Sequence, residues 1–121
     1  MKSTIEVGKR GELIAAEYLK DLGYKLLCSN FRARRCEIDL VALKEGCLVF
    51  VEVKTLSRLN NKVVPSNGQI RRLIYAANSF IKTQRFSASS FRFDLIRIST
   101  NKNSVKVEHL KDSIDPTSFL I

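Results

Sequence analysis

The chain has 121 residues, enough to close one hydrophobic core and too few for two; with 45% hydrophobic and 27% charged residues it is neither disordered nor a linker. Lysine and arginine outnumber aspartate and glutamate 21 to 12, and the resulting charge of +9 attracts polyanions, either nucleic acid or an anionic membrane face. The longest apolar run, Cys47 to Val51, is far short of the roughly 20 residues of a membrane helix, and no apolar leader opens the chain, so the expectation is a cytoplasmic protein with no membrane partner.

Ser3-Thr4-Ile5-Glu6 reads as a capping box that opens a helix running to about Asp21 and stopping at Gly23. Tyr24 to Ser29, Glu37 to Ala42 and Cys47 to Val53 read as strands, the last two joined by a short turn through Leu43-Lys44-Glu45-Gly46. A second helix starts at Pro65-Ser66-Asn67-Gly68-Gln69 and runs to about Thr83, with Ile70, Leu73, Ile74, Ala77 and Ile81 on one stripe. Phe91 to Ile98 and Val105 to Leu110 close the chain as strands around Asn101-Lys102-Asn103. The order is α-β-β-β-α-β-β in one α/β domain, 1–121, with a core of about 4–110 and an unassigned tail, 111–121. Cys28, Cys36 and Cys47 form no Cys-x-x-Cys pair and His109 is the single histidine, which excludes a disulfide framework and a four-ligand zinc site.

Polar groups interrupt this apolar pattern at three places. Glu52 and Lys54 sit at i and i+2 at the end of the most apolar strand, so both point to one face. Glu37 and Asp39 alternate with Ile38, Leu40 and Val41 and share a face of the preceding strand. If Glu45-Gly46 is a two-residue turn, Asp39 falls opposite Glu52; a four-residue loop places Glu37 there instead. Either register opposes two carboxylates, which repel unless a cation such as Mg²⁺ sits between them. Glu12 lies on the face of the first helix that carries Ala15, Ala16 and Leu19, either as a plain exposed acid or as a buried one needing a partner. Gly8 and Gly11 nearby point to close approach of another backbone or a ligand. Glu12, Asp39, Glu52 and Lys54 together suit phosphodiester hydrolysis, the carboxylates holding one or two Mg²⁺ ions and Lys54 orienting water or stabilising developing charge.

Asp39 followed by Glu52-Val53-Lys54 on the next strand, behind the Glu12 helix and ahead of the Gln69 helix, resembles the PD-(D/E)XK nuclease superfamily and its restriction-endonuclease-like fold. Gly8-x-x-Gly11-Glu12, Cys36-Glu37-Ile38-Asp39-Leu40-Val41-Ala42, Phe50-Val51-Glu52-Val53-Lys54-Thr55 and Arg92-Phe93-Asp94 are similar to the YraN family of small bacterial proteins, related to archaeal Holliday junction resolvases. The resemblance spans Gly8 to Ile98. It implies a mixed central sheet flanked by helices and metal-binding carboxylates at Asp39 and Glu52. Lys54 would then be the catalytic lysine and Glu12 an auxiliary acid and further metal ligand, with Mg²⁺ or Mn²⁺ as cofactor. Gln69 matches a glutamine near the active site of related nucleases, while Ser66-x-x-Gln69 is also a complete capping box. Glu37 is a further auxiliary candidate. Cys36, Leu56 and Gly68 depart from the family pattern at positions that bear on substrate contacts.

No acidic residue occurs between Val53 and Phe93, while Lys54, Arg58, Lys62, Arg71, Arg72, Lys82, Arg85 and Arg92 do, marking a phosphate track. Arg32, Arg34 and Arg35 form a second basic cluster on the loop feeding the Asp39 strand, with Phe31 placed to stack on a base or pack under the loop. No motif for reading base sequence is present, so selectivity for nucleic-acid structure is expected. The expected function is a metal-dependent endonuclease acting on DNA as a homodimer. Its rivals are a non-catalytic nucleic-acid-binding protein on the same fold and an RNA-directed nuclease.

Overall fold

The most apolar stretch of the chain occupies the middle of the sheet, where both faces are covered. A computed structural model describes residues 4–56, 65–84, 88–101 and 103–116. The elements are α1 (Thr4–Asp21), β1 (Lys25–Ala33), β2 (Cys36–Lys44), β3 (Cys47–Leu56), α2 (Asn67–Gln84), β4 (Ser90–Thr100) and β5 (Val105–Leu110), in the expected order. The five strands form one mixed sheet in the order β1-β2-β3-β4-β5, consistent with a restriction-endonuclease-like core. Only the β3–β4 pair is parallel, and α2 supplies the crossover that a parallel pair requires.

Alternate residues of β3 serve opposite layers. Leu48 and Phe50 pack with Leu73, Ala77 and Phe80 of α2, whereas Val49 and Val51 pack with Ala15 and Leu19 of α1. On the α2 side an aromatic run continues the core, with Phe31 edge-on to Phe80 at 5.1 Å and Phe50 stacked on Phe93 at 5.3 Å. Phe31 is thus partly buried against the core, the packing role of the two expected for it.

Local chemistry sets the element ends. Gly23, at φ +89°, closes α1 in a Schellman motif, with Tyr24 N–H bonded to Leu19 C=O and Gly23 N–H to Lys20 C=O, both at 2.9 Å. Ser66 Oγ accepts Gln69 N–H at 3.2 Å while Gln69 Oε1 accepts Ser66 N–H at 2.8 Å, the capping box expected at the start of α2. Ser3 and the Glu6 side chain, expected to cap α1, lie outside the described residues. Glu45 and Gly46 both take positive φ, as a two-residue hairpin turn needs, and Lys44 pairs with Cys47. Strand β1 runs to Ala33, four residues beyond its expected end, because backbone pairing continues through Arg32↔Glu37 and Ala33↔Cys36 after its apolar residues stop.

A polar knot ties the α1 side together. The wholly buried Asp94 carboxylate accepts from Arg92 Nε (3.0 Å), the Asp112 N–H (2.8 Å) and, at 2.7 Å, His109 Nε2. Arg92 reaches Tyr24 Oη at 2.7 Å, and His109 Nδ1 meets Tyr18 Oη at 3.1 Å. Burial alone raises the Asp94 pKa, but the bonds from His109, Arg92 and Asp112 hold it below the usual value. Through Asp112 and the buried Ile114, residues first assigned to the tail belong to the packed fold.

Asp94→Ala leaves Arg92, His109 and the Asp112 N–H without their acceptor in a buried setting. It is expected to cost about 3–5 kcal/mol of unfolding free energy in a urea titration, while Asp112→Asn, which keeps the backbone donor and tolerates the φ of +52° there, stays within about 1 kcal/mol of the wild type.

Candidate functional site

The antiparallel pairing that begins at Lys44↔Cys47 ends at Leu40↔Val51. From there β2 continues to Cys36 along β1, and β3 continues to Leu56 along β4, so each strand follows its other neighbour. The next residues in register are Asp39 and Glu52. Instead of a ladder bond, the Val53 N–H donates to Asp39 Oδ2 at 2.7 Å, and the Asp39 carboxyl also shares a hydrogen bond with Glu52. The short-turn register is thus the one adopted, with Asp39 and Glu52 brought together.

The strict alternation expected along β2 does not hold at Asp39. Ile38 packs on the α2 side together with Val41, while Leu40 and Ala42 pack on the α1 side. On the neighbouring strand the matching position, between Ser29↔Leu40 and Phe31↔Ile38, is Asn30, held at φ +53°. A left-handed residue turns the pleat by one step, which carries Phe31 and Ile38 to the α2 layer and re-aims the intervening Asp39. Asn30 Nδ2 also donates to Glu12 Oε1 at 2.8 Å, fixing the helix carboxylate over the same corner. Sequence reasoning missed Asn30; the signal available was an asparagine, tolerant of positive φ, inside an otherwise extended run.

Gly11 is needed for this approach. A Cβ there would collide with the Thr55 hydroxyl, so its absence lets α1 lie close on β3 one residue before Glu12. Gly8, read from sequence as a second contact point, has no heavy atom within 4 Å of where its Cβ would stand.

Glu12, Glu37, Asp39 and Glu52 are close enough to act on one another electrostatically. Burial is the largest cause raising the Glu52 pKa to about 9, followed by its hydrogen bond with Asp39 and the Asp39 charge; Lys54 opposes this. Burial, with the charges of Asp39 and Glu37, lifts Glu12 to about 7 against the pull of Lys9. Lys54 Nζ stands 4.0 Å from Glu52 Oε1, the two side chains being 19% and 15% exposed. As they stand, no three His, Cys, Asp or Glu side chains among the described residues are gathered closely enough to hold a metal ion. The donor chemistry nevertheless fits a hard divalent cation, since all the groups are carboxyl oxygens and their mutual repulsion is relieved by a cation or, without one, by a proton on Glu52.

The other expected residues are dispersed. Gln69 is engaged in the capping box of α2. Arg32 lies within β1, not on a loop, and faces Glu37 at 3.7 Å. Arg34 and Arg35 are exposed on the β1–β2 turn, Arg34 at φ +56°, and Arg71 and Arg72 are exposed on the early turns of α2. Arg58 and Lys62 lie outside the described residues. Among those residues no helix is long and apolar enough to cross a membrane.

This arrangement, an α/β sheet that parts at paired carboxylates beside a lysine, defines the structural class. The model of the uncharacterised protein family UPF0102 matches residues 11–98, and the chain belongs to that family. It is 35% identical over 111 residues to a UPF0102 protein of Christiangramia forsetii, covering 89% of this chain and 92% of the relative. It is likewise 38% identical to one of Chlorobium chlorochromatii (92% and 92% covered) and 40% identical to one of Flavobacterium johnsoniae (89% and 93%).

The Glu52 shift sets a pH dependence whose sign is fixed. Between pH 4.5 and about 9 the folded chain keeps a proton that the unfolded chain has lost, so stability without divalent ions falls as pH rises through that window. The limiting slope is about 1.4 kcal/mol per pH unit. Melting temperature measured in chelator is expected to drop from pH 5 to pH 9, with Glu12 adding to the slope below about pH 7, and Glu52→Gln is expected to flatten the profile between pH 7 and pH 9. A wild-type curve already flat across this range contradicts the assignment.

Proposed function

We propose that this protein is a metal-dependent endonuclease of the PD-(D/E)XK superfamily, in its YraN family, hydrolysing DNA phosphodiester bonds and selecting nucleic-acid structure over base sequence. The observation that carries the reading is the meeting of Asp39, Glu52 and Lys54 where β2 and β3 part. Asp39 and Glu52, with Glu12 as a third oxygen donor, would hold Mg²⁺ or Mn²⁺. The bound ion would supply charge stabilisation at the phosphoryl oxygens and a more acidic water. Val53 N–H fixes the orientation of Asp39, and Asn30 fixes that of Glu12. Lys54, mostly buried, puts a positive charge where negative charge develops as water attacks phosphorus.

Arg32 beside Glu37, the exposed Arg34 and Arg35, and the exposed Arg71 and Arg72 on α2 would supply cations for the phosphates of a bound nucleic acid. A homodimer would deliver two equivalent cuts related by a two-fold axis. A cytoplasmic setting is supported by three cysteines that form no disulfide.

The test is cleavage of labelled linear, flapped, single-stranded and four-way-junction DNA in Mg²⁺ and Mn²⁺. The wild type should cut at least one of these, and Glu52→Ala and Lys54→Ala should each reduce the rate by about two to three orders of magnitude. DNA bound but never cut would assign the fold a non-catalytic binding role, and cutting of RNA alone would assign an RNA-directed nuclease.

A further inference from the structure

A groove of about 480 Å³ runs between α1 and β1, with Glu12 and Asn30 of the carboxyl corner among its lining. One wall is a stripe of α1 at i, i+4, i+7 and i+11: Lys9, Leu13, Ala16 and Lys20. At about 1.5 Å per residue the two lysines stand roughly 16 Å apart along the helix, one at each end of an apolar stretch. Leu26 and Leu40 extend that apolar surface from the sheet. Leu13 is 68% exposed, the highest value for a large apolar side chain among the described residues. At its other end the groove shares Lys9, Glu12 and Asn30 with a second concavity of about 340 Å³ that reaches Arg32 and Glu37. The two concavities adjoin through these shared residues, giving a channel from Lys20, past Leu13, to Glu12 and Glu37 at the edge of the carboxyl cluster.

We propose that this channel holds an unpaired nucleic-acid strand and delivers it to the cluster, so that the substrate is DNA with a single-stranded stretch beside the scissile bond. The inference rests on the nuclease reading and names its substrate class. Lys9 and Lys20 are spaced to meet phosphates, and Lys20's contact with Glu17, at 3.7 Å between exposed groups, is weak enough to yield to one. The apolar middle takes base or sugar faces, which every nucleotide offers, so no sequence is read. A duplex keeps its bases paired inside the helix and cannot lay them in a groove of about 480 Å³, whereas the bases of an unpaired strand are free to enter one. Arg32, which faces Glu37 at 3.7 Å, stands beyond Glu12 at the end where the strand would reach the carboxyls.

The measurement is fluorescence anisotropy of a labelled oligothymidylate and of a mixed-sequence duplex of equal length, in chelator so that nothing is cut. Leu13→Ser should weaken oligothymidylate binding by about tenfold and leave the duplex unchanged. Lys20→Gln should lower the salt dependence of single-strand binding by about one ion. The control is Leu22→Ser, at a 45% exposed leucine that does not line the groove, which should change neither. Single-strand binding indifferent to Leu13 and Lys20 overturns the groove assignment while leaving the nuclease reading intact. Equal losses for single strand and duplex overturn the strand preference. Failure of the wild type to bind the oligothymidylate also overturns the groove assignment, while the nuclease reading is decided separately by the cleavage assay on flapped and four-way-junction DNA in Mg²⁺.

Discussion

The hydrogen bond from the Val53 N–H to the Asp39 carboxylate sits where two strands, paired since their hairpin turn, go separate ways. Each strand keeps a partner on its other side, so neither frays, and the carboxylate takes the place of the carbonyl that a continuing ladder would supply. Opposed acidic side chains would weaken an ordinary strand pair. Here the strands stop pairing at that point, and the acids become available to something other than the sheet.

Most of the molecule holds this opening in place. Branched and aromatic residues on both faces of β3 fix the strand between two helical layers. The missing side chain at Gly11 lets α1 settle against Thr55, which brings Glu12 to the same corner. The Asp94 knot joins α1, β4, β5 and the residues after β5 on the α1 side of the sheet. A rigid scaffold of this kind can confine carboxyls that repel one another, because their electrostatic cost is small beside the burial that holds the layers together.

The sequence made the element order and the central position of β3 legible, because apolar periodicity, turn glycines and capping residues all agreed. It also showed Glu12, Asp39, Glu52 and Lys54 as polar groups in an apolar setting. It did not show the slip at Asn30 and Asp39, whose one signal, an asparagine tolerant of positive φ, marks where a slip can occur and not that one does. Gly8 and Gly11 looked alike along the helix, and only the neighbouring strand distinguishes them. Asp94 stood out as part of a motif without a role; apart from Arg92 on its own strand, its partners His109 and Asp112 follow it by 15 and 18 residues and meet it only on folding. Arg32 was placed on a loop because its strand is extended by backbone pairing, which carries no side-chain pattern.

The proposal to test first is that the corner where β2 and β3 part binds a divalent cation, which displaces a proton that Glu52 holds in the absence of the ion. Calorimetric titration of Mn²⁺ at pH 7.5, in two buffers of different ionisation enthalpy, measures binding and proton release together. The account predicts binding with release of about one proton, displaced from the Glu52–Asp39 pair, and loss of both signals in Asp39→Asn. Binding unchanged in Asp39→Asn, or no binding and no proton release by the wild type, would contradict it.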